Sequence, residues 1–290
     1  MVTGKVVRTR PLCDYPLAAR YRGSGSVERK ERVMQMKQVL PVGFAVCCAL
    51  TIASLFAQQN PASTPAPPAP PATQVSKGKL TLETDPADLK YYREANAKLA
   101  SPAPGENRVV FLGDSITAGW GRSFTTLFPG KPYIGRGISS ETTQQMLIRF
   151  RPDVIALQPK VVVILAGTND IAGNTGRSTQ KMIEDNIASM IDLAQFHKIR
   201  VVLLSVLPAY DYWWQPGMEP AEKIVALNAW MKEYAAKRGV VYVDCHAPMS
   251  DEKHAMKREL SPDGVHPNAA GYALISPLVE TGIAEALKQD

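Results

Sequence analysis

From residue 80 onward, short apolar runs alternate with longer stretches whose apolar residues recur at helical spacing. The apolar runs are RVVFLG (108–113), KVVVILAG (160–167), IRVVLLSVLP (199–208) and VVYVDC (240–245). Strands that are apolar on both faces are typical of a parallel sheet covered by helices on either side. Residues 80–290 are therefore predicted to form a single doubly wound α/β domain with a mostly parallel central sheet.

The stretches between these runs predict the helices that cover the sheet. An amphipathic leading helix is expected over 87–100, where the Ser-Pro-Ala-Pro-Gly segment ends it. Further helices are expected from 144 until Pro152, over 179–198 and over 219–239, where Gly239 provides a stop signal. The last helix, over 268–288, is expected to be interrupted at Pro277.

The segments before residue 80 predict an export signal and a linker rather than a folded domain. Residues 36–57 have a lysine, an uncharged apolar centre and a small residue at the end, as a secretory signal peptide does. The apolar stretch 39–57 is also nearly long enough for an uncleaved membrane anchor. Residues 1–35 form a basic leader, which would be explained if translation in fact starts at Met34 or Met36. Residues 58–79 form a Pro/Ala-rich linker. The domain is therefore expected to be exported to the periplasm or secreted, or anchored by 39–57.

Charge and cysteine usage exclude several classes of protein. The net charge is +6, but residues 1–37 hold nine of the 33 Lys/Arg and three of the 27 Asp/Glu, so 24 of each remain beyond. Residues 38–290 are thus neutral overall, which gives no electrostatic reason to expect a nucleic-acid partner. Cys245 is the single cysteine of residues 80–290, which excludes an intrachain disulfide and a Cys-x-x-Cys metal site there.

Groups that could perform acyl transfer follow several of the predicted strands. Ser115 lies in GDSI after the first run, Asn169 lies in GTND after the second, and Asp263 and His266 lie three apart in SPDGVH. A glycine-rich turn over 135–140 precedes one helix. Serine is also a common helix N-cap, so Ser115 alone indicates little. Together, a serine, an imidazole, a carboxylate and hydrogen-bond donors are the groups that serine-based acyl transfer requires.

These four segments resemble the sequence blocks of the GDSL-type, or SGNH, hydrolases, from about Arg108 to Gly271. The resemblance implies a flavodoxin-like sheet and an enzyme without metal or cofactor. It implies that Ser115 is the nucleophile, that His266 is the general base and that Asp263 orients His266. It also implies three oxyanion donors, which are the backbone N–H groups of Ser115 and Ser140 and the side-chain amide of Asn169.

The second block departs from the family pattern. In ISSET, Ser140 stands where the donor glycine is expected, Glu141 replaces the usual aspartate, and Gly135 replaces an asparagine. A backbone N–H survives the change from glycine to serine. If the position requires a positive φ, however, Ser140 is strained.

Other interpretations of these residues stay open or are excluded by the sequence. An α/β-hydrolase nucleophile elbow is excluded because Thr117 stands where Gly-x-Ser-x-Gly requires glycine. Asp263 and His266 could alternatively ligate zinc. Asp170 is expected to be structural. Three histidines are expected to be solvated surface groups, namely His197, His246 and His254.

Six further residues are expected to support the site or to contact the substrate, namely Asp114, Gly137, Asn174, Tyr212, Trp213 and Trp214. The last three lie in an aromatic-rich segment, 208–220. Aromatic side chains there either pack on the domain or contact a sugar face or an acyl chain.

The sequence thus predicts an exported serine esterase or acylhydrolase that works through an acyl-enzyme. Its substrate would be a small-molecule, glycan or lipid ester, with carbohydrate O-acetyl or short-chain acyl esters favoured. The alternatives are a lysophospholipase or thioesterase, a non-catalytic glycan-binding module of the same fold, and a membrane-tethered structural protein. Membrane contact is expected only through 39–57, if that segment stays uncleaved.

Overall fold

The four apolar runs form four of the strands of one parallel sheet in the computed structural model, which describes residues 85–289. The strands are β1 (Val109–Gly113), β2 (Tyr133–Gly137), β3 (Val161–Leu165), β4 (Arg200–Leu204) and β5 (Val241–Val243). Their order is β2-β1-β3-β4-β5 and every pairing is parallel. This is the flavodoxin-like order, so the predicted doubly wound fold is confirmed.

The predictions for the leader (1–35), the signal or anchor segment (36–57) and the linker (58–79) lie outside the described residues. Across residues 85–289, no helix has both the length and the apolar character that a membrane span requires.

Within the described residues, the five predicted helices are present, the first and the last with differences from the prediction, and four short α-helices occur that the pattern did not predict. The helices are α1 (Arg93–Lys98), α2 (Ser115–Gly121), α3 (Phe124–Leu127), α4 (Thr143–Asp153), α5 (Thr168–Ala172), α6 (Gln180–Phe196), α7 (Pro220–Arg238), α8 (His246–Met249) and α9 (Ala269–Ala286). The leading helix is shorter than the predicted 87–100, because the Asp85 carboxylate accepts the N–H groups of Leu89 and Lys90 and holds that segment in turns.

The predicted interruption of the last helix at Pro277 is wrong, since α9 continues through it. Pro277 lies on the exposed face of α9. The carbonyl that loses its N–H partner there can hydrogen-bond to water, so the helix does not have to break.

Alternate side chains of each strand enter two separate cores. Val110, Val162 and Leu203 face one side, where they belong to a cluster with residues of α4, α6 and α7. Phe111 and Val163 face the other side, with residues of α2 and α9. Both faces of the sheet are covered, which leaves the carboxyl edge of the parallel strands as the place where loops meet.

The loops after β1, β2 and β3 share that edge, and β1 lies between the other two strands. The chain crosses from β1 to β2 on one side and from β2 over β1 to β3 on the other. Such a reversal opens a crevice at the carboxyl ends of the strands, where doubly wound proteins bind their ligands.

Gly137, at the end of β2, permits close contact between β2 and α2. A Cβ at this position would lie 2.2 Å from the Ala118 nitrogen and 2.6 Å from the Asp114 carbonyl oxygen. Both are backbone atoms, which cannot move aside without moving α2.

We predict that Gly137→Ala lowers the free energy of unfolding by about 3 kcal/mol or more, because the added methyl forces α2 away from β2. Gly121→Ala is the matched control, since its Cβ would meet only Gly135 Cα at 3.7 Å. It should change stability by less than about 1 kcal/mol. Urea unfolding of both variants measures the difference, and equal stabilities would contradict this explanation of Gly137.

Asp170 of α5 joins two helices near the crevice. Its carboxylate accepts hydrogen bonds from the backbone N–H and the hydroxyl of Thr143, at 2.9 Å and 2.5 Å, where α4 begins. Burial raises the pKa of Asp170 to about 6, although the Thr143 bonds oppose this shift. The contacts agree with the structural role expected from the sequence.

This raised pKa predicts a pH dependence of stability. Between about pH 4 and pH 6 the carboxyl is ionised in the unfolded chain and protonated in the folded protein, so the folded state loses stability as pH rises. The stability advantage of the wild type over Asp170→Asn should therefore shrink over this range, by up to about 3 kcal/mol. Urea unfolding at pH 4, 5 and 6 tests this. Asp114 is present in both proteins, but burial and the charge of Asp170 both raise the pKa of Asp114, so part of the pH dependence passes through Asp114. A difference independent of pH would refute the prediction.

Candidate active site

Ser115 lies at a tight turn between β1 and α2. The side chain of Asp114 accepts the Ile116 N–H at 2.9 Å and caps the helix that Ser115 begins. A Cβ on Gly113 would lie 2.1 Å from Thr117 Oγ1 and 2.7 Å from the Leu165 carbonyl oxygen, so the strand end must be glycine. The turn leaves Ser115 partly exposed at the carboxyl edge of the sheet.

Ser115, His266 and Asp263 form one chain of hydrogen bonds, although Ser115 and His266 are 151 residues apart. Ser115 Oγ lies 2.9 Å from His266 Nε2, and His266 Nδ1 lies 2.7 Å from Asp263 Oδ2. An ionised carboxylate only accepts hydrogen bonds, so Nδ1 carries the proton and Nε2 is free to accept the serine proton. This geometry can activate the serine hydroxyl.

The loop 261–266 holds Asp263 by its own backbone. Asp263 Oδ1 accepts the N–H groups of Val265 and His266 at 3.0 Å and 2.8 Å, and the Ser261 hydroxyl donates to the His266 carbonyl at 2.7 Å. Partial burial disfavours the ionised carboxyl, but the backbone and imidazole hydrogen bonds from His266 outweigh it and hold the pKa of Asp263 below its ordinary value. Asp263 is therefore ionised at neutral pH and fixed in place.

The three expected oxyanion donors lie on adjoining loops. Within residues 85–289, neither the Ser115 nor the Ser140 backbone N–H donates a hydrogen bond to another protein group. The Asn169 amide donates from Nδ2 to the Glu141 carbonyl at 3.0 Å and to Asp114 Oδ2 at 3.3 Å. Asn169 therefore lies between the loop that carries Ser115 and the loop that carries Ser140.

Ser140 has a φ of +67°. This is the left-handed conformation, in which a serine is strained and a glycine is not. Its carbonyl accepts a hydrogen bond from Asn174 Nδ2 at 3.2 Å, and its side chain is exposed.

Of the three aromatic residues expected to contact the substrate, Tyr212 does not lie at the surface. It is fully buried, and its hydroxyl lies 2.8 Å from Thr168 Oγ1, so of the two alternatives for this segment Tyr212 packs on the domain. Trp213 is 69% exposed. Trp214 is half-buried, and its ring centroid lies 6.4 Å from that of His266.

A cleft of about 1350 Å³ adjoins the Asp263 side of the site. Tyr210 and Trp213 line it together with the loop 250–258 and residues 261–264. Both aromatic rings are mostly exposed, and the cleft contains lysine, arginine and acidic side chains. Mixed charge and exposed ring faces make it suited to a polar ligand with some apolar surface.

Glu141 and Arg149 form a buried ion pair that the sequence did not reveal. Arg149 Nε donates to Glu141 Oε2 at 2.5 Å, and Nη2 donates to the Gly113 carbonyl at 2.9 Å. Both side chains are almost inaccessible to solvent. Glu141 thus serves to fix the Ser140 loop, and the sole sequence signal was a glutamate in a block where an aspartate was expected.

The histidines outside the site differ from one another. His197 and His254 are both half-buried. His246 is buried, so its expected surface position is wrong. In the part of the chain that the structure describes, no three His, Cys, Asp or Glu side chains form a group suited to a metal.

Comparison with known proteins finds similarity to GDSL-like lipases and acylhydrolases. A model of the GDSL-like Lipase/Acylhydrolase family matches residues 111–274. A GDSL-like lipase of Bacteroides thetaiotaomicron is 44% identical, with a TM-score of 0.67, over 69% of this chain and 98% of that structure. A Bacteroides fragilis protein named as an acylhydrolase is 42% identical, with a TM-score of 0.69, over 71% of this chain and all of that structure.

A curated relative is more distant. The uncharacterized lipoprotein YqeF of Bacillus subtilis is 29% identical over 124 residues, which are 37% of this chain. The match spans about half, 51%, of the length of that relative. The matched family model covers more than half of the present chain and includes the segments of Ser115, Asn169 and His266. The chain therefore belongs to the GDSL-like lipase/acylhydrolase family.

Proposed function

We propose that this protein is an exported serine esterase that hydrolyses carboxylic esters through an acyl-enzyme. The observation that carries the proposal is the continuous hydrogen-bonded chain from Ser115 through His266 to Asp263. A binding protein does not require an aligned nucleophile, base and carboxylate, whereas covalent acyl transfer does.

In the first half-reaction, Ser115 Oγ attacks the ester carbonyl carbon while His266 Nε2 takes the hydroxyl proton. The ionised Asp263 stabilises the imidazolium that forms. The carbonyl oxygen becomes an oxyanion, to which the N–H groups of Ser115 and Ser140 and the amide of Asn169 donate. The imidazolium then protonates the departing alkoxide as the carbon–oxygen bond breaks, which leaves the acyl group on Ser115.

In the second half-reaction, water replaces the alcohol. His266 takes a proton from the water, whose oxygen attacks the acyl carbon, and the imidazolium returns the proton to Ser115 Oγ as the acyl bond breaks. A carboxylic acid is released.

Of the two bonds that Asn169 Nδ2 donates, the 3.3 Å bond to Asp114 is the weaker, and it is the one that an oxyanion would replace.

The alcohol portion of the substrate is proposed to be a carbohydrate and the acyl group to be short, with acetyl favoured. Tyr210 and Trp213 present exposed ring faces in the cleft beside Asp263, and sugar faces pack on such rings. The acidic and basic side chains of the cleft suit hydroxyl groups better than a long acyl chain. Lysophospholipids and thioesters are the alternative substrates.

Export is proposed from residues 36–57, which have the layout of a signal peptide. The Bacillus subtilis relative is named as a lipoprotein, which supports export or anchoring of this chain as well. A mature domain released from 39–57 would act in the periplasm or outside the cell.

We predict that Ser115→Ala and His266→Ala lower kcat on nitrophenyl acetate by about 10³-fold or more, because each removes a member of a unit that works together. Asp263→Asn should lower kcat by about 10³- to 10⁴-fold, because it destabilises the required imidazole tautomer. Ser189→Ala and His197→Ala are the matched controls, since both residues lie on or next to α6, away from the carboxyl edge. Their rates should stay at the wild-type level.

The same assay on nitrophenyl acetate, butyrate and octanoate distinguishes the substrates. Preference for acetate supports the proposal, and preference for octanoate favours the lysophospholipase alternative. If folded wild-type protein hydrolyses none of these esters, nor acetylated xylan, the esterase proposal is wrong and a glycan-binding module of the same fold becomes the better explanation.

A further inference from the structure

Asn174 makes two separate hydrogen bonds to Asn169. It follows α5, and its backbone N–H donates to the Asn169 carbonyl at 3.0 Å. Its side-chain Nδ2 donates to Asn169 Oδ1 at 2.8 Å. Asn174 is expected from the sequence to support the site or to contact the substrate, and these contacts place it beside the expected oxyanion donor.

The Asn174 amide makes two further hydrogen bonds, one through each of its polar atoms. Nδ2 donates to the Ser140 carbonyl at 3.2 Å, and Oδ1 accepts the indole N–H of Trp214 at 2.9 Å. One amide therefore contacts both non-nucleophile residues of the expected oxyanion site and the aromatic segment beside His266.

These bonds have a fixed direction, which Trp214 sets together with the Ser140 and Glu141 carbonyls. An indole N–H can only donate, so the oxygen of the Asn174 amide must face Trp214 and the nitrogen must face Asn169. The Asn174 nitrogen in turn requires the Asn169 oxygen as its acceptor. The Asn169 nitrogen consequently faces Asp114 and Glu141, in the loops that carry Ser115 and Ser140, which is the orientation that an oxyanion requires.

We propose that Trp214 and Asn174 are positioning residues that fix the orientation of the Asn169 amide, so that its nitrogen and not its oxygen faces the developing oxyanion. The inference rests on the proposed esterase function. Without the bonds from Trp214 and Asn174, only the Glu141 carbonyl and the Asp114 carboxyl, of the groups within residues 85–289, would oppose a half-turn of the Asn169 amide. Such a half-turn would place a carbonyl oxygen against the oxyanion and oppose the reaction.

The proposal is tested by steady-state hydrolysis of nitrophenyl acetate with the full chain and three single variants. Trp214→Phe keeps a ring but removes the N–H, Asn174→Ala removes the amide, and Asn174→Asp keeps the shape but replaces the donor by an acceptor. Removing an oxyanion donor lowers kcat by about 10²- to 10³-fold, and misorienting one should lower it somewhat less. We expect kcat to fall about 10- to 100-fold in Asn174→Ala and about 5- to 10-fold in Trp214→Phe, with KM within about twofold.

Two results would identify the directional mechanism. Asn174→Asp should be slower than Asn174→Ala, since its carboxylate repels Asn169 Oδ1 and favours the wrong orientation; a role in filling space would give the opposite order. The double variant Trp214→Phe/Asn174→Ala should be no more than about twofold slower than Asn174→Ala, because the two residues act through one chain. Trp230→Phe and Asn107→Ala, remote from the site, are the controls.

The outcomes separate this inference from the proposed function. If wild type is active and Ser115→Ala is not, but Asn174→Ala keeps its kcat within twofold, the directional chain is wrong and the esterase stands. Multiplying effects in the double variant would also overturn it. If Asn174→Ala does not fold, a wild-type kcat in Trp214→Phe decides against the inference. Folded wild type without activity on any ester refutes the proposed function, and the inference with it.

Discussion

The buried guanidinium of Arg149 is the interaction on which the site depends. It bonds to the end of β1 at the Gly113 carbonyl, to Glu141 in the loop after β2, and to Asp153 on its own helix. Burial raises the pKa of Glu141, and the charge of Arg149 opposes that shift. Removing one partner of such a pair typically destabilises a protein by about 3–5 kcal/mol, because a charge stays buried and unpaired. The loops of Ser115 and Ser140 are therefore joined beneath the site by one cation.

The site combines local and distant constraints. Asp263 and His266 are oriented by bonds inside one short loop, so their mutual geometry forms as soon as that loop folds. Ser115 and Asn169 are placed by the ends of β1 and β3, which the sheet holds side by side. Their relation to His266 depends on the packing of α9 against the sheet face that also contacts α2. The Tyr272 hydroxyl of α9 donates to the Ile116 carbonyl at 2.8 Å and links these parts directly.

The sequence predicted the sheet, the helices and the residues of the site, because apolar runs and motif order are local signals. It missed β2, an edge strand whose sequence YIGRG lacks a continuous apolar run. The burial of Tyr212 could not be decided from the sequence, because an aromatic residue in a loop has no period that distinguishes burial from exposure. The pair of Glu141 with Arg149 and the bond from Trp214 to Asn174 depend on tertiary packing. A charged residue within a helix and an asparagine in a turn give no sign of such partners.

The separation of 151 positions between Ser115 and His266 has a consequence for synthesis. The proposed nucleophile follows the first strand and its proposed base lies in the segment before the last helix, so a nascent chain holds the serine long before it holds the imidazole. Since domains acquire their packing as units, an incomplete chain has a serine with no base beside it. In the proposed mechanism, hydrolysis is then a property of finished domains alone. A partly translated or truncated copy would therefore not hydrolyse esters in the compartment where it is made.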